Sequence, residues 1–271
     1  MRFSLLLISC LLVQSAFSRV DTVRVYSESM QKNVSCVVIT PKKIKKHRAR
    51  FPVVYLLHGY AGDYANWIRR VPALDRLANA LRLIIVCPDG AWSSWYFDSP
   101  VDSSYRYETF TSTELPQFID THYPTISDRK ARAITGLSMG GHGAMFLALR
   151  HPGVFGAAGS MSGALDVSTI KRSYDVPRRL GDTIQNLRYY QDWSVVNLLE
   201  RYNPADSIAF IIDCGVNDFI FSMSRAAHQK MLNRKIPHDY IERPGAHDWK
   251  YWANAVRYQL LFFREWFNKN D

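Results

Sequence analysis

A serine stands between glycines in the segment Gly136-Leu-Ser138-Met-Gly140, which has the pattern G-x-S-x-G. An apolar run, Ala131–Thr135, precedes it, and a helical pattern, Met139–Arg150, follows it. In a nucleophile elbow the serine occupies a strained turn between strand and helix, where its hydroxyl stands clear of the sheet. The alternative is a glycine-rich turn without chemistry, but the flanking elements favour Ser138 as a nucleophile.

A serine hydroxyl is a weak nucleophile until a neighbouring base accepts its proton. An elbow of this kind is followed along the chain by an acid and then a histidine, each on a loop after a later strand. Asp218 lies in the loop after the apolar run Ser207–Cys214, whereas Asp213 still belongs to that run, so Asp218 is the predicted acid. His247 follows the last strand-like run and is the predicted base, and Asp248 is predicted to cap the helix after it.

Two backbone N–H groups are expected to stabilise the oxyanion that forms when an acyl carbonyl becomes tetrahedral. One is the amide of Met139, directly after the serine. The other is predicted on the loop after the third strand, where Gly59 permits a tight turn and Tyr60 supplies the amide. His58 is predicted to brace this loop.

Aromatic residues crowd two segments that should lie at the carboxyl ends of strands, where ligands bind in parallel sheets. Trp92, Trp95 and Tyr96 follow the fourth strand and are the predicted substrate-binding residues. A second group, Tyr189, Tyr190 and Trp193, lies in the stretch 164–206. Aromatic faces can stack on sugar rings or on an aromatic acyl group, although the same residues could simply pack this stretch onto the domain.

The elements that must position these residues alternate along the chain. Strand-like runs recur at Asp21–Tyr26, Val34–Thr40, Pro52–Leu57, Leu83–Cys87, Ala131–Thr135, Ala157–Met161, Ser207–Cys214 and Asp239–Glu242. Helical patterns cover Pro72–Leu81, a segment ending at Thr121 that a capping-box pattern at Thr111–Glu114 should open, Met139–Arg150, Met223–Arg234 and Trp249–Asn268. Two leading strands followed by strand–helix alternation predict a mostly parallel, eight-stranded α/β sheet with helices on both faces. Residues 164–206 are predicted to be a cap-like insertion before the seventh strand.

The N-terminus has the pattern of a secretory signal peptide: a basic start, an apolar run over Leu5–Val13 and small residues at Ala16 and Ser18. We therefore expect residues 1–18 to be removed and residues 19–271 to form a single secreted or periplasmic domain without stable membrane insertion. A lipoprotein signal with a lipid on Cys10 is the alternative.

The composition is that of a globular protein, with 271 residues, 47% hydrophobic and 21% charged. A net charge of +10 could favour anionic polymers, but no motif supports nucleic-acid binding. Cys36, Cys87 and Cys214 lie in or beside apolar runs, which predicts buried thiols, although one disulfide between them stays open. No spacing indicates a metal site, and neither a metal nor an organic cofactor is expected.

Four motifs together resemble the esterase D-type family of α/β-hydrolases, and they are His58-Gly-Tyr60, Gly136–Gly141, Asp213–Asp218 and Gly245–Trp249. The family includes feruloyl and acetylxylan esterases, tributyrin-type esterases, S-formylglutathione hydrolases and secreted mycolyltransferases. The resemblance implies an α/β-hydrolase fold from about residue 20 to the C-terminus. It also implies the same nucleophile, acid, base and oxyanion amides that the residues themselves indicate.

These observations predict a secreted serine carboxylesterase that hydrolyses short-chain or aromatic acyl esters, with a small-molecule or oligosaccharide ester as substrate. Acyl transfer to a sugar hydroxyl and an S-formylglutathione hydrolase-like thioesterase activity are the alternatives, of which the thioesterase fits an export signal poorly. A carbohydrate-binding module without activity is disfavoured because serine, acid and histidine positions are all filled.

Overall fold

The computed structural model describes residues 19–42, 49–170 and 172–270. The predicted signal peptide and Cys10 therefore lie outside the described residues. Among the described residues, no helix combines the length and the apolar character needed to cross a membrane. Cys36, Cys87 and Cys214 are free, buried thiols.

Eight strands of the described chain form one sheet in the order β1-β2-β4-β3-β5-β6-β7-β8. Their bounds are β1 Arg19–Ser27, β2 Lys32–Thr40, β3 Val53–Leu57, β4 Ile84–Pro88, β5 Arg132–Gly136, β6 Ala157–Met161, β7 Ala209–Gly215 and β8 His238–Arg243. The β1–β2 and β2–β4 pairs are antiparallel and the other pairs are parallel. The predicted mostly parallel α/β sheet is confirmed, and its loops after β3, β5, β7 and β8 meet at one edge because these strands run the same way.

Helices cover both faces of the sheet, and β3 shows why. Side chains alternate along a strand, so Val54 and Leu56 belong to the core beneath α1, α2 and α10, while Val53, Tyr55 and Leu57 belong to the opposite core. The helices are α1 Asn66–Arg70, α2 Leu74–Leu81, α3 Tyr107–Thr109, α4 Leu115–His122, α5 Met139–Arg150, α6 Val176–Leu180, α7 Leu187–Asp192, α8 Val195–Leu198, α9 Phe221–Asn233 and α10 Trp249–Asn270.

The capping-box interpretation of Thr111–Glu114 is wrong. Helical structure begins earlier, with α3, and continues through a π-helical segment at Phe110–Glu114 into α4. The Glu114 carboxylate does not cap this helix, because it accepts hydrogen bonds from the Ser27 hydroxyl at 2.6 Å and from the Ser29 amide at 2.7 Å. Glu114 therefore bonds residues at the end of β1 and in the β1–β2 turn, and not the backbone amides at the start of its own helix.

The stretch 164–206 between β6 and β7 contains α6, α7 and α8. Its hydrogen bonds to the loop after β4 include those from Trp95 Nε1 to the Tyr174 carbonyl at 2.9 Å, from the Ser99 hydroxyl to the Arg179 carbonyl at 2.6 Å and from Arg179 to the Asp102 carboxylate at 3.1 Å. Tyr190 and Trp193 are buried. These two aromatic residues pack the stretch onto the domain, which is the alternative that the sequence left open.

Candidate active site

Ser138 occupies the turn between β5 and α5 with φ 53° and ψ −116°, a conformation that non-glycine residues rarely adopt. Its amide donates to the Met161 carbonyl at 2.9 Å, which ties the turn to the next strand. A Cβ on Gly136 would lie 2.6 Å from the Gly140 carbonyl carbon, and one on Gly140 would lie 2.5 Å from the His58 carbonyl oxygen. The tight approach of these backbone segments explains both glycines.

The structure brings Ser138, His247 and Asp218 into one hydrogen-bonded chain. His247 Nε2 lies 3.0 Å from Ser138 Oγ, and Nδ1 lies 2.9 and 3.0 Å from the two carboxylate oxygens of Asp218. Because a carboxylate only accepts, the hydrogen belongs on Nδ1, which leaves the Nε2 lone pair facing the serine hydroxyl. This is the arrangement in which a histidine can take the serine proton.

The Asp218 carboxyl lies in a setting that favours its charged form. Burial by itself would raise its pKa, but hydrogen bonds from His247 and from the Ile220 amide, the latter at 3.0 Å, outweigh burial and lower the pKa. The group is therefore an anion at neutral pH, able to hold the imidazole in one orientation and to stabilise it when it is protonated.

Asp213, the other candidate acid, is fully buried in β7, and among the described residues its carboxylate makes no hydrogen bond to Ser138 or His247. Its carboxylate accepts hydrogen bonds from the Tyr251 hydroxyl and from Arg243, while burial raises its pKa. The ring of Tyr251 in turn lies against Gly245, two residues before His247, where a Cβ would be 2.2 Å from the ring. Asp213 thus anchors the loop that carries the histidine.

The two predicted oxyanion amides flank the elbow. A Cβ on Gly59 would lie 3.3 Å from Ser138 Cβ, so the loop after β3 runs directly beside the serine. Among the described residues, neither the Tyr60 nor the Met139 amide finds an acceptor. The Met139 amide is free because the first N–H groups of a helix, here α5, have no intrahelical partner.

His58 holds this loop in place from below. Its Nδ1 lies 2.8 Å from the Gly59 carbonyl, and its Nε2 accepts the Gly90 amide at 2.7 Å. Because a carbonyl only accepts, Nδ1 carries the hydrogen and the ring is neutral. Burial lowers the His58 pKa, which is consistent with a neutral, bracing imidazole.

A cavity of about 250 Å³ opens beside Ser138 and His247. Its walls are predominantly aromatic and apolar, and it is lined by Gly59, Tyr60, Asn66, Trp95, Leu137, Ser138, Ala164, Ile170, Tyr174, Phe219, Ile220, His247, Trp249 and Trp252. The nucleophile and the base therefore share one pocket with space for an acyl group.

Comparisons with known proteins place this chain in a family. The family model described as "Putative esterase" matches residues 27–263. The chain belongs to this esterase family. The esterase is 27% identical over 262 residues to an acetyl esterase of Caldicellulosiruptor saccharolyticus, covering 90% of this chain and 96% of that protein. It is also 28% identical over 286 residues to the diacylglycerol acyltransferase/mycolyltransferase Ag85A of Mycobacterium gordonae, covering 90% and 80%.

A solved ferulic acid esterase has the same α/β-hydrolase fold. It superposes on the esterase with a TM-score of 0.80 at 31% identity, covering 92% of this chain and 98% of the other. The esterase is accordingly an enzyme of the serine hydrolase class, and its relatives support ester hydrolysis or acyl transfer as its reaction.

The three aromatic residues predicted to bind substrate take different positions in the esterase. Trp95 lines the cavity but is only 2% exposed, so little of its ring is accessible to a ligand. Trp92 is 60% exposed and is not among the residues that line the cavity; its ring makes an edge-to-face contact with that of Tyr60, with 6.0 Å between centroids. The prediction for Tyr96 is wrong: it is fully buried, and its hydroxyl donates to the His58 carbonyl at 3.1 Å.

Several cavity residues of the esterase carried no functional prediction. The ring of Phe219 lies 4.6 Å from that of His247, and Trp252 meets the same imidazole edge-on at 4.9 Å. Trp249 and Asn66 also line the cavity. Phe219 and Trp249 stand one and two residues from the predicted acid and base, so proximity in sequence was a usable signal; Trp252 is indistinguishable from the core stripe of α10.

Proposed function

We propose that the esterase is a carboxylesterase that forms an acyl-enzyme on Ser138. The observation that carries the proposal is the hydrogen-bonded chain from Ser138 Oγ through His247 to Asp218, of which Ser138 and His247 line the aromatic cavity. In this proposal Ser138 is the nucleophile, His247 the general base and Asp218 the residue that orients and stabilises the imidazolium.

The reaction would proceed in two halves. Ser138 Oγ attacks the ester carbonyl carbon while its proton passes to His247 Nε2, and the amides of Tyr60 and Met139 donate to the oxyanion. The tetrahedral intermediate then collapses, the C–O bond to the alcohol breaks, and His247 protonates the leaving oxygen. Water attacks the acyl-enzyme with His247 again taking a proton. The bond between the acyl carbon and Ser138 Oγ then breaks, His247 returns the proton to Ser138 Oγ, and the carboxylic acid leaves.

We further propose short-chain or aromatic acyl esters, borne by carbohydrates, as the substrates. The cavity volume of about 250 Å³ supports a small acyl group, since ligand pockets commonly span ~300–1,000 Å³. Its aromatic walls suit a planar acyl group, and exposed Trp92 beside it offers a face on which a sugar ring could stack. Similarity to an acetyl esterase and to a ferulic acid esterase supports the same classes.

We also propose that the esterase is exported, because residues 1–18 have the pattern of a secretory signal peptide. Cleavage after Ser18 would leave a chain that begins at Arg19, the first residue of β1. A secreted or periplasmic location fits an enzyme that acts on polymer-bound esters, which cannot enter the cell.

The test is a hydrolysis panel with purified enzyme and with the variants Ser138→Ala and Ser222→Ala. Ser222 is an exposed serine on α9 and serves as the matched control. The panel contains p-nitrophenyl acetate, butyrate and palmitate, methyl ferulate, acetylated xylan and S-formylglutathione. We expect Ser138→Ala to lose more than about 10³-fold in kcat with an unchanged melting temperature, because removing the nucleophile leaves only binding and oxyanion stabilisation. More than a tenth of wild-type activity in Ser138→Ala would contradict the mechanism.

Acyl transfer to a sugar hydroxyl is the second candidate, favoured by the similarity to a mycolyltransferase over 90% of this chain. It shares the first half-reaction and differs only in the nucleophile that attacks the acyl-enzyme. Adding an oligosaccharide to the acetyl ester assay separates the two: transfer gives an acylated sugar by mass spectrometry, whereas hydrolysis gives only the free acid.

A further inference from the structure

The side chain of Tyr60 connects the loop beside the nucleophile to the insertion 164–206. Its hydroxyl donates to Asp175 Oδ2 at 3.3 Å. Its ring makes edge-to-face contacts with two others, that of Tyr174 at 5.5 Å and that of Trp92 at 6.0 Å between centroids. Tyr60, the residue proposed to supply an oxyanion amide, therefore contacts two consecutive residues of the insertion, Tyr174 and Asp175.

The position of these two insertion residues is itself fixed. Tyr174 and Asp175 both have left-handed backbones, with φ 54° and 57°, which non-glycine residues hold only when their surroundings impose it. The Tyr174 carbonyl accepts the indole N–H of Trp95 at 2.9 Å, and the ring of Trp95 is buried. The insertion therefore presents the Asp175 carboxylate from an anchored segment.

The backbone of the Tyr60 loop has other supports on either side of the amide. His58 bonds the Gly59 carbonyl, and the Ala61 amide donates to the Trp92 carbonyl at 2.8 Å. Within the described residues the Tyr60 amide itself has no acceptor, so its direction depends on those neighbours and on the tether through its own side chain. An oxyanion donor must be aimed at the transition-state oxygen, and small misplacements are costly.

We infer that Asp175 is a positioning residue: by accepting the Tyr60 hydroxyl it holds the Tyr60 amide in its oxyanion-binding direction. The inference rests on the proposed function. Because Tyr174 also lines the cavity, the segment that contacts the acyl group is the one that aims the oxyanion donor. The tether therefore affects kcat for every ester and leaves ground-state binding unchanged.

The test uses the full chain and four variants: Tyr60→Phe, Asp175→Ala, the double variant and Asp175→Asn. Tyr60→Phe removes one oxygen and keeps both ring contacts, so its folding is preserved. We expect each of the first two to lower kcat about fivefold to tenfold with KM within about twofold, the range for one lost hydrogen bond that supports an oxyanion donor. The double variant should be no worse than either, and Asp175→Asn, which keeps an oxygen acceptor, should recover most of the rate.

Two further measurements separate positioning from general structural support. Phenylboronic acid forms a tetrahedral adduct with a catalytic serine, so its Ki should rise in Tyr60→Phe by the factor that kcat falls. Arg178→Ala is the matched control, because Arg178 is exposed and lies 3.5 Å from the other oxygen of Asp175; it should leave kcat unchanged.

Additive losses, an Asp175→Asn variant as slow as Asp175→Ala, or a lower melting temperature with unchanged kcat would each overturn the inference. These outcomes are distinct from failure of the proposed function. If Ser138→Ala stays active, the acyl-enzyme proposal fails; if Ser138→Ala is inactive while Tyr60→Phe keeps its kcat and its Ki, only the tether is wrong.

Discussion

Replacing Asp218 by asparagine tests the acid of the site while keeping its shape. In the wild type both carboxylate oxygens face His247 Nδ1, at 2.9 and 3.0 Å, and require the hydrogen to lie on that nitrogen. An asparagine NH₂ facing Nδ1 would donate instead, which moves the hydrogen to Nε2. That nitrogen faces Ser138 Oγ at 3.0 Å and could then no longer accept its proton.

The expected loss follows from this change of tautomer. A serine hydrolase whose histidine is held in the wrong tautomer loses about 10⁴ in kcat, which corresponds to roughly 5.5 kcal/mol at about 1.36 kcal/mol per tenfold. The Asp218 pKa is lowered in the fold, so the variant also loses some stability. That loss is minor beside the loss of rate, because asparagine still accepts the Ile220 amide with its remaining oxygen.

The matched variant is Asp213→Asn, five residues away and within β7. It should damage stability and spare the chemistry, since it leaves the half-buried Arg243 guanidinium without its counter-charge. Removing one partner of a buried ion pair costs about 3 kcal/mol, and this would lower the melting temperature by roughly 6–12 °C for a chain of this size. We expect kcat within about threefold of wild type, because Asp213 acts on the histidine loop indirectly, through Tyr251 and Arg243.

The assay is kcat and KM for p-nitrophenyl acetate at pH 8, at a temperature chosen below the measured melting temperatures of both variants, with thermal unfolding measured in parallel. The two variants should separate cleanly, one with low kcat and a near-native melting temperature, the other with the reverse. The reasoning is refuted if Asp213→Asn is the slower enzyme at matched folding, or if Asp218→Asn keeps more than about 1% of wild-type kcat.

Three other outcomes can be checked directly. Burial lowers the His142 pKa to about 4. As the pH drops from about 6.5 to about 4, His142 therefore binds a proton in the unfolded chain and stays neutral in the native state. The free energy of unfolding should fall by up to about 1.4 kcal/mol for each pH unit of acidification in this range. Urea titrations should show a shallower fall in His142→Phe, and equal slopes would contradict this. Trp92→Ala should raise KM for acetylated oligosaccharides about fivefold, because one stacking contact with the sugar is lost, and should leave KM for p-nitrophenyl acetate unchanged. An unchanged ratio of the two KM values would contradict the stacking of a sugar ring on Trp92. N-terminal sequencing of exported protein should begin near Arg19, and a lipid found on Cys10 would refute a soluble product.

The sequence by itself determined the features that depend on neighbours along the chain. A strand, G-x-S-x-G and a helix specify one local turn, and the structure has Ser138 in that turn with α5 beginning at Met139. Asp218 was preferred to Asp213 as the acid because Asp218 lies in a predicted loop and Asp213 in a predicted strand, and in the structure Asp218 is the aspartate that reaches His247. Asp248 caps α10 as predicted, accepting the Tyr251 amide at 2.8 Å. In each case, the conformation is set by residues a few positions away.

Only the tertiary structure decided which partner each side chain would meet. Trp92, Trp95 and Tyr96 are all large aromatic residues of one loop, and the sequence does not distinguish them. In the structure Trp92 is exposed, Trp95 lines the cavity, and Tyr96 is buried with its hydroxyl on the His58 carbonyl. Glu114 was predicted to cap its own helix but accepts a hydrogen bond from the Ser29 amide in the β1–β2 turn, 85 residues away in sequence. The link between Tyr60 and Asp175 spans 115 residues and follows no local pattern. Contacts of this kind depend on how the loops pack at the sheet edge, and the physical reason is that burial and hydrogen bonding across the fold outweigh local preference.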